Sequence, residues 1–234
     1  MRPIGGGTRG APFRDRRDAG RQLAERIRRL DLHDPVVIAL PRGGVPVGFE
    51  VAQAINAPLD TLVVRKLGSP ANPEYAVGAA AEGGMVLVGQ PRDPSVTEEE
   101  LQQIVRRETL ETARRVARYR GTRPLTSVAG RDVILVDDGI ATGLTALAAA
   151  RALRTQRAKR VILAAPVCSA DILRRFRNDV DDVICVQSPL NLMAVGPWYV
   201  DFTPTSDEEV VSLLRAARRD GGPDSQPEME RRTA

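Results

Sequence analysis

The run at 133–136, Val-Ile-Leu-Val, carries two adjacent carboxylates, Asp137 and Asp138, directly into a turn of small residues, and a helix-forming stretch follows. Continuous rather than alternating hydrophobicity is the pattern of a parallel strand covered by helices on both faces. Residues 146–153 are rich in Ala and Leu, good helix formers. A buried strand, a tight turn and a helix N-terminus together offer backbone N–H groups and the hydroxyls of Thr142 and Thr145 to an anion. This order of elements restricts the chain to open α/β folds with a phosphate cup at a strand end.

Two acids at the rim of such a cup argue against a site for phosphate alone, because carboxylates repel phosphate. They call for hydroxyls or a cation, which a phosphorylated sugar and Mg²⁺ supply; Mg²⁺ is held by hard oxygens and keeps most of its waters. Helix capping would need only one Asp. Receiver domains also pair acids at a strand end, but near the chain start and without a Thr-Gly-x-Thr turn. The segment resembles the phosphoribosyl-pyrophosphate (PRPP) signature of type I phosphoribosyltransferases. That resemblance implies Asp137 and Asp138 on the ribose hydroxyls and on Mg²⁺, directly or through water. It also implies that Ala141, Thr142, Gly143, Leu144 and Thr145 wrap the 5′-phosphate.

A second apolar run at 35–40 ends in Pro41, Arg42, Gly43 and Gly44 before a helix-like stretch at 47–55. The two glycines allow close backbone approach, and the guanidinium fork suits phosphate oxygens. Alone, Arg-Gly-Gly is an ordinary turn; in this place it resembles the family's pyrophosphate loop. The resemblance further implies a non-proline cis peptide at Pro41-Arg42. Lys66 and Lys159 are the only lysines in an arginine-rich chain. Arg65 and Lys66 directly follow the run at 59–64, where the family places basic residues near pyrophosphate. A solvated strand end is the plain alternative. With strands at 36–40, 59–64, 133–136, 161–165 and 182–186, the expected fold is a doubly wound, mainly parallel five-stranded sheet of order 2-1-3-4-5. Helices lie on both faces, and both phosphate loops fall at the switch point.

At 234 residues the chain can bury one sizeable core. Residues 1–13 and 218–234 read as flexible tails, and 14–217 as one domain with an insertion at about 68–130. Within the insertion, 76–81 and 85–88 form a hairpin pattern, and Thr97 caps a helix to about 119. Family resemblance implies a loop that closes over the site, placed at 69–82. The helix from Thr97 reads either as a homodimer surface or as a solvated face. A helix at 14–30, a short one near 171–176 and a last one at 208–217, capped by Ser206, complete the pattern.

The net charge of +4 is modest, and the arginines alternate with acids, so nucleic-acid binding is unsupported. No long apolar span or leader pattern is read, which suggests a cytoplasmic protein with no membrane partner. Cys168 and Cys185 read as separate, reduced packing residues. His33, the sole histidine, reads as a surface residue, leaving no histidine general base.

Trp198, Tyr199 and Phe202 cluster late in the chain near Val195. Trp198 and Val195 are therefore the candidate acceptor contacts, with core packing as the competing reading of the cluster. Ala141 stands where 6-oxopurine enzymes of the family often carry a third Asp, so no Asp proton shuttle is carried over. The expected activity is Mg²⁺-dependent transfer from PRPP to a small nitrogen acceptor, a nucleobase, with Asp137, Asp138, Arg42 and Lys66 at the reaction. A PRPP- or nucleotide-binding regulator on the same fold is the alternative.

Overall fold

A computed structural model describes residues 11–70, 76–88, 96–176 and 178–221. Five parallel strands, β1 (Val36–Ala39), β2 (Leu59–Thr61), β6 (Asp132–Val136), β7 (Arg160–Val167) and β8 (Asp182–Gln187), form the core sheet in the order β2-β1-β6-β7-β8. This is the 2-1-3-4-5 order expected. Alternation along each strand splits the core. Val36, Ile38, Val133 and Leu135 face one layer, whereas Val37, Ala39, Ile134 and Val136 face the other. The second layer is closed by α1 (Arg16–Ile27), α2 (Gly44–Ala54) and α6 (Asp207–Gly221), and the first by α4 (Leu144–Thr155) with the short α5 (Ile172–Arg175).

The insertion forms a second, antiparallel sheet of β3 (Val64–Gly68), β4 (Ala76–Ala81) and β5 (Val86–Val88), with α3 (Glu98–Arg120) packed on it. Thr97 caps α3 as expected, in a capping box with Glu100. The run at 59–64 proves to hold the whole of β2 and the first residue of β3. Leu62 still donates to Ala39 O in the core sheet, while Val63 already exchanges bonds with Glu82 of the inserted unit. Leu62 and Val63 are both fully buried, so hydrophobicity does not mark the break. Arg120 ties the two sheets: it donates to Thr61 O at 2.6 Å and to Glu82 Oε1 at 2.8 Å from a buried position.

Four expectations change. Within the proposed closing loop at 69–82, residues 71–75 lie outside the described residues, and 76–81 form the central strand β4, paired on both edges. Phe13, assigned to the tail, is 1% exposed and exchanges backbone bonds with the segment at Trp198 and Val200. Residues 218–221 continue α6; residues 1–10 and 222–234 lie outside the described residues. Cys168 and Cys185 are joined in a disulfide with Cα atoms 6.1 Å apart, inside the span such a bond bridges. Cys168 directly follows β7 and Cys185 lies within the neighbouring parallel strand β8, with Ala165 opposite Cys185 and Cys168 N–H donating to Gln187 O.

Candidate phosphoribosyl site

β6 ends inside the core sheet and releases Asp137, whose N–H still donates to Ala164 O on β7. Asp138 N–H then turns back onto Asp137 Oδ1 at 2.9 Å. Two further bonds, Ile140 N–H to Val167 O and Ser169 N–H to Ile140 O, fasten the loop to the end of β7. Gly143, at φ 73°, makes the left-handed step into α4 and supplies no capping side chain to its first turn. The opening turn of α4 therefore presents backbone donors at the place where the sequence predicts a phosphate. A side chain at Gly143 would also lie 2.6 Å from the Phe176 ring.

The Pro41-Arg42 peptide is cis, as the family resemblance implied. Gly43 and Gly44 then run against the acidic pair. A Cβ on Gly43 would overlap Asp138 Oδ2, and one on Gly44 would lie 2.7 Å from Val136 O and 3.0 Å from Asp137 Cα. Gly43 has ordinary helical angles, φ −62° and ψ −31°. Its role is the missing side chain, not backbone freedom. The two loops, 93 to 95 positions apart in sequence, are thus in direct contact across the switch point.

Burial raises the Asp137 carboxyl well above the usual carboxylate range, and the neighbouring Asp138 charge raises it further. Burial raises Asp138 as well, opposed by the Arg16 guanidinium. Arg16 is the residue at this loop that sequence reading missed. Its Nε donates to Asp138 Oδ2 at 2.8 Å, its Nη1 donates to Thr203 O at 2.8 Å, and it stacks 4.0 Å over the Phe202 ring. In the sequence it is one of several alternating charges, with no spacing that sets it apart. Tyr199 donates its hydroxyl to Asp138 O at 2.5 Å; burial, then the Asp138 charge, pushes that phenol upward.

The remaining candidates divide. Arg42 is exposed beside the loop, 3.9 Å from Asp207 Oδ1 at the start of α6. Arg65 lies on β3 rather than in a loop, and its Nε donates to Glu108 of α3 at 3.0 Å, on the α3 face of the inserted sheet. Lys66, one residue on, is exposed on the opposite face; its partner across the ladder, Ala79, packs in the layer with α4. Ala141 packs with Val195, Trp198 and Tyr199, and the Val195 methyls fill the space beside Gly139. Trp198 is only 8% exposed among Phe13, Ala19, Val167 and Leu192. Its ring packs in this cluster, which fits the core-packing reading of these aromatics.

No group of three or more metal-ligating side chains occurs among the described residues. Two carboxylates, one already bonded to Arg16, suit a cation that arrives with its own phosphate ligands better than a resident ion in a protein cage. Among the described residues no helix is long and apolar enough to cross a membrane.

Comparison with known proteins agrees with this geometry. A family model for the phosphoribosyl transferase domain matches residues 14–201. A Mycobacterium tuberculosis protein provisionally named a phosphoribosyl transferase is 46% identical over 210 residues, which is 89% of this chain and 47% of that protein. The chain thus spans about half the length of the curated relatives it matches. The crystal structure of TT1426 from Thermus thermophilus superposes with a TM-score of 0.74 at 40% identity, covering 87% of this chain and 97% of that one. A ribose-phosphate pyrophosphokinase from Buchnera aphidicola matches locally, 48% identical over 68 residues, covering 27% of this chain and 22% of that protein. From the strand order, the facing loops and the extent of these matches, the chain belongs to the type I phosphoribosyltransferase family.

Proposed function

We propose that the protein moves the 5-phosphoribosyl group of PRPP to a nitrogen acceptor of the nucleobase class and releases pyrophosphate in the cytoplasm. The observation that carries this reading is the contact of Gly43 and Gly44 with Asp138 and Asp137. It brings the loop read as the diphosphate site directly against the loop read as the sugar-phosphate site.

In this reading the N–H groups at 141–145 and the hydroxyls of Thr142 and Thr145 hold the 5′-phosphate. Asp137 and Asp138 accept from the ribose hydroxyls. The backbone at Gly43 and Gly44, Arg42 and Lys66 receive the pyrophosphate, and Arg65 is left to its structural bond with Glu108. The acceptor nitrogen's lone pair forms a bond to the anomeric carbon as the carbon–oxygen bond to pyrophosphate breaks, and the acceptor's surplus proton passes to water. Cationic character grows on the ribose and anionic charge on the leaving oxygens, so charges aimed at those atoms contribute most. Mg²⁺ bound with the diphosphate offsets the leaving charge. Asp137 and Asp138 are the residues that would hold it, directly or through water. Closing out water protects the activated ribose from hydrolysis. Val195 forms an apolar edge of the acceptor side, beside Gly139.

The test is incubation with PRPP, Mg²⁺ and a panel of nucleobases, following pyrophosphate release and the mass of the nucleotide formed. Release with at least one base supports transfer. Burial of the Trp198 ring weighs against its use as a base platform and supports a second reading, a PRPP-binding regulator. PRPP binding with no release for any base would select it.

A further inference from the structure

The acidic pair does not stand alone. Arg16 opens α1 at the far end of the sequence from Asp138, yet its side chain is only 11% exposed and bonds an Asp138 side chain that is 16% exposed. Four contacts hold the guanidinium: Asp138 Oδ2 and Thr203 O, each at 2.8 Å, the Phe202 ring at 4.0 Å and the Tyr199 ring at 6.0 Å. Tyr199 reaches the same residue from its backbone side, through the bond to Asp138 O. The space that a side chain on Gly43 would take is occupied by Asp138 Oδ2 and, at 3.0 Å, Arg16 Nε. The first turn of α1, the pyrophosphate loop, the acidic loop and the segment 199–203 therefore meet at one guanidinium.

Two consequences follow from elementary electrostatics. A carboxylate with one oxygen tied to a planar, immobilised donor presents its other oxygen in a fixed direction. Two adjacent carboxylates also repel a polyanion brought to the neighbouring cup, and a cation bonded to one of them offsets much of that repulsion where solvent screening is weak. We infer that Arg16 is a positioning residue for the sugar grip: it acts through Asp138, turning that carboxylate toward the ribose hydroxyls and offsetting its charge as a phosphorylated sugar enters. The inference rests on the reading of this site as a PRPP site and names how one of its carboxylates is set.

The test measures PRPP affinity by calorimetry with Mg²⁺ present for the wild type, Arg16→Gln, Arg16→Lys, Asp138→Asn and the Arg16→Gln/Asp138→Asn double variant. Arg16→Gln is expected to weaken PRPP binding by at least about tenfold, the scale of losing one partner of a desolvated, hydrogen-bonded ion pair. Arg16→Lys recovers part of that loss. Because Arg16 acts through Asp138, adding Arg16→Gln to Asp138→Asn should cost less than about threefold more. Arg16→Gln binding within about twofold of the wild type overturns the inference, and so do two losses that multiply in the double variant. If Arg16→Gln does not fold, Phe202→Leu decides: removing the ring under the guanidinium should weaken PRPP binding at least about threefold, and unchanged affinity overturns the inference. Wild-type protein that binds no PRPP sinks the underlying reading, an outcome recognised without any variant.

Discussion

Gly44→Ala puts the contact between the two loops to a direct test, because its helical propensity and its packing push in opposite directions. Gly44 opens α2 and is buried, and its N–H donates to Leu40 O at 3.0 Å. On propensity alone, Ala in place of a helical Gly should stabilise by about 1 kcal/mol. The added Cβ, however, would lie 2.7 Å from Val136 O, about 0.7 Å short of the 3.4 Å at which ordinary contact begins, and 3.0 Å from Asp137 Cα. Both obstacles are backbone, and the Val136 carbonyl is itself engaged by Leu40 N–H at 2.8 Å, so neither can rotate aside. Overpacking of this kind costs about 1–3 kcal/mol. The net expectation runs from no change to a loss of about 2 kcal/mol, or up to about 8 °C in Tm for a chain of this size. Ligand binding should suffer more. Relief of the clash separates the pyrophosphate loop from the acidic pair by several tenths of an ångström, and misplacement approaching 1 Å costs up to about 100-fold. Thermal melts and calorimetry with PRPP and Mg²⁺ read both effects. A variant that melts higher than wild type and binds PRPP equally well would refute the loop contact, since only the propensity term would then be acting.

Other expectations follow from the same geometry. The disulfide closes a 17-residue separation, for which chain-entropy arguments give about 3 kcal/mol. Reduction, or a Cys168→Ala/Cys185→Ala variant, should lower the Tm by several degrees, and thiol counting under denaturing, non-reducing conditions should find no free cysteine. Finding two free thiols would discard the bond. Asp137 is raised in the fold by burial and by Asp138, so its contribution to stability is present below its unfolded pKa and lost as pH rises through the folded value. Asp137→Asn should accordingly melt higher than wild type near pH 8 without ligand, with the difference shrinking toward about pH 4, while PRPP binding weakens. A difference independent of pH would contradict that cause. Arg65→Ala should lower the Tm, because the buried Glu108 then loses one of the two arginines, Arg65 and Arg107, that pair with it among the described residues. PRPP affinity should stay within about twofold, and a tenfold loss would return Arg65 to the ligand site.

What could be read in advance was whatever short-range physics controls. Unbroken apolar runs announced parallel strands buried on both sides. Asp137, Asp138 and the turn through Thr145 could be read as one candidate loop by adjacency, and Gly43 and Gly44 announced a close approach without saying to what. Thr97 and Glu100 formed the capping box their spacing allows. Where one apolar stretch served two sheets, at Leu62 and Val63, the pattern carried no boundary, because both sheets bury it equally.

Contacts between distant segments were decided by the tertiary structure. Arg16 and Asp138 are 122 positions apart, and nothing about an arginine among alternating charges tells which carboxylate it will meet. Arg65 found Glu108 across 43 positions, while Trp198 was taken into a core completed by Phe13. Cys168 and Cys185 became partners because β7 and β8 lie side by side in the sheet. Periodicity and turn chemistry act over a few residues and survive in the linear order, whereas burial and charge pairing depend on which surfaces the completed sheet brings face to face.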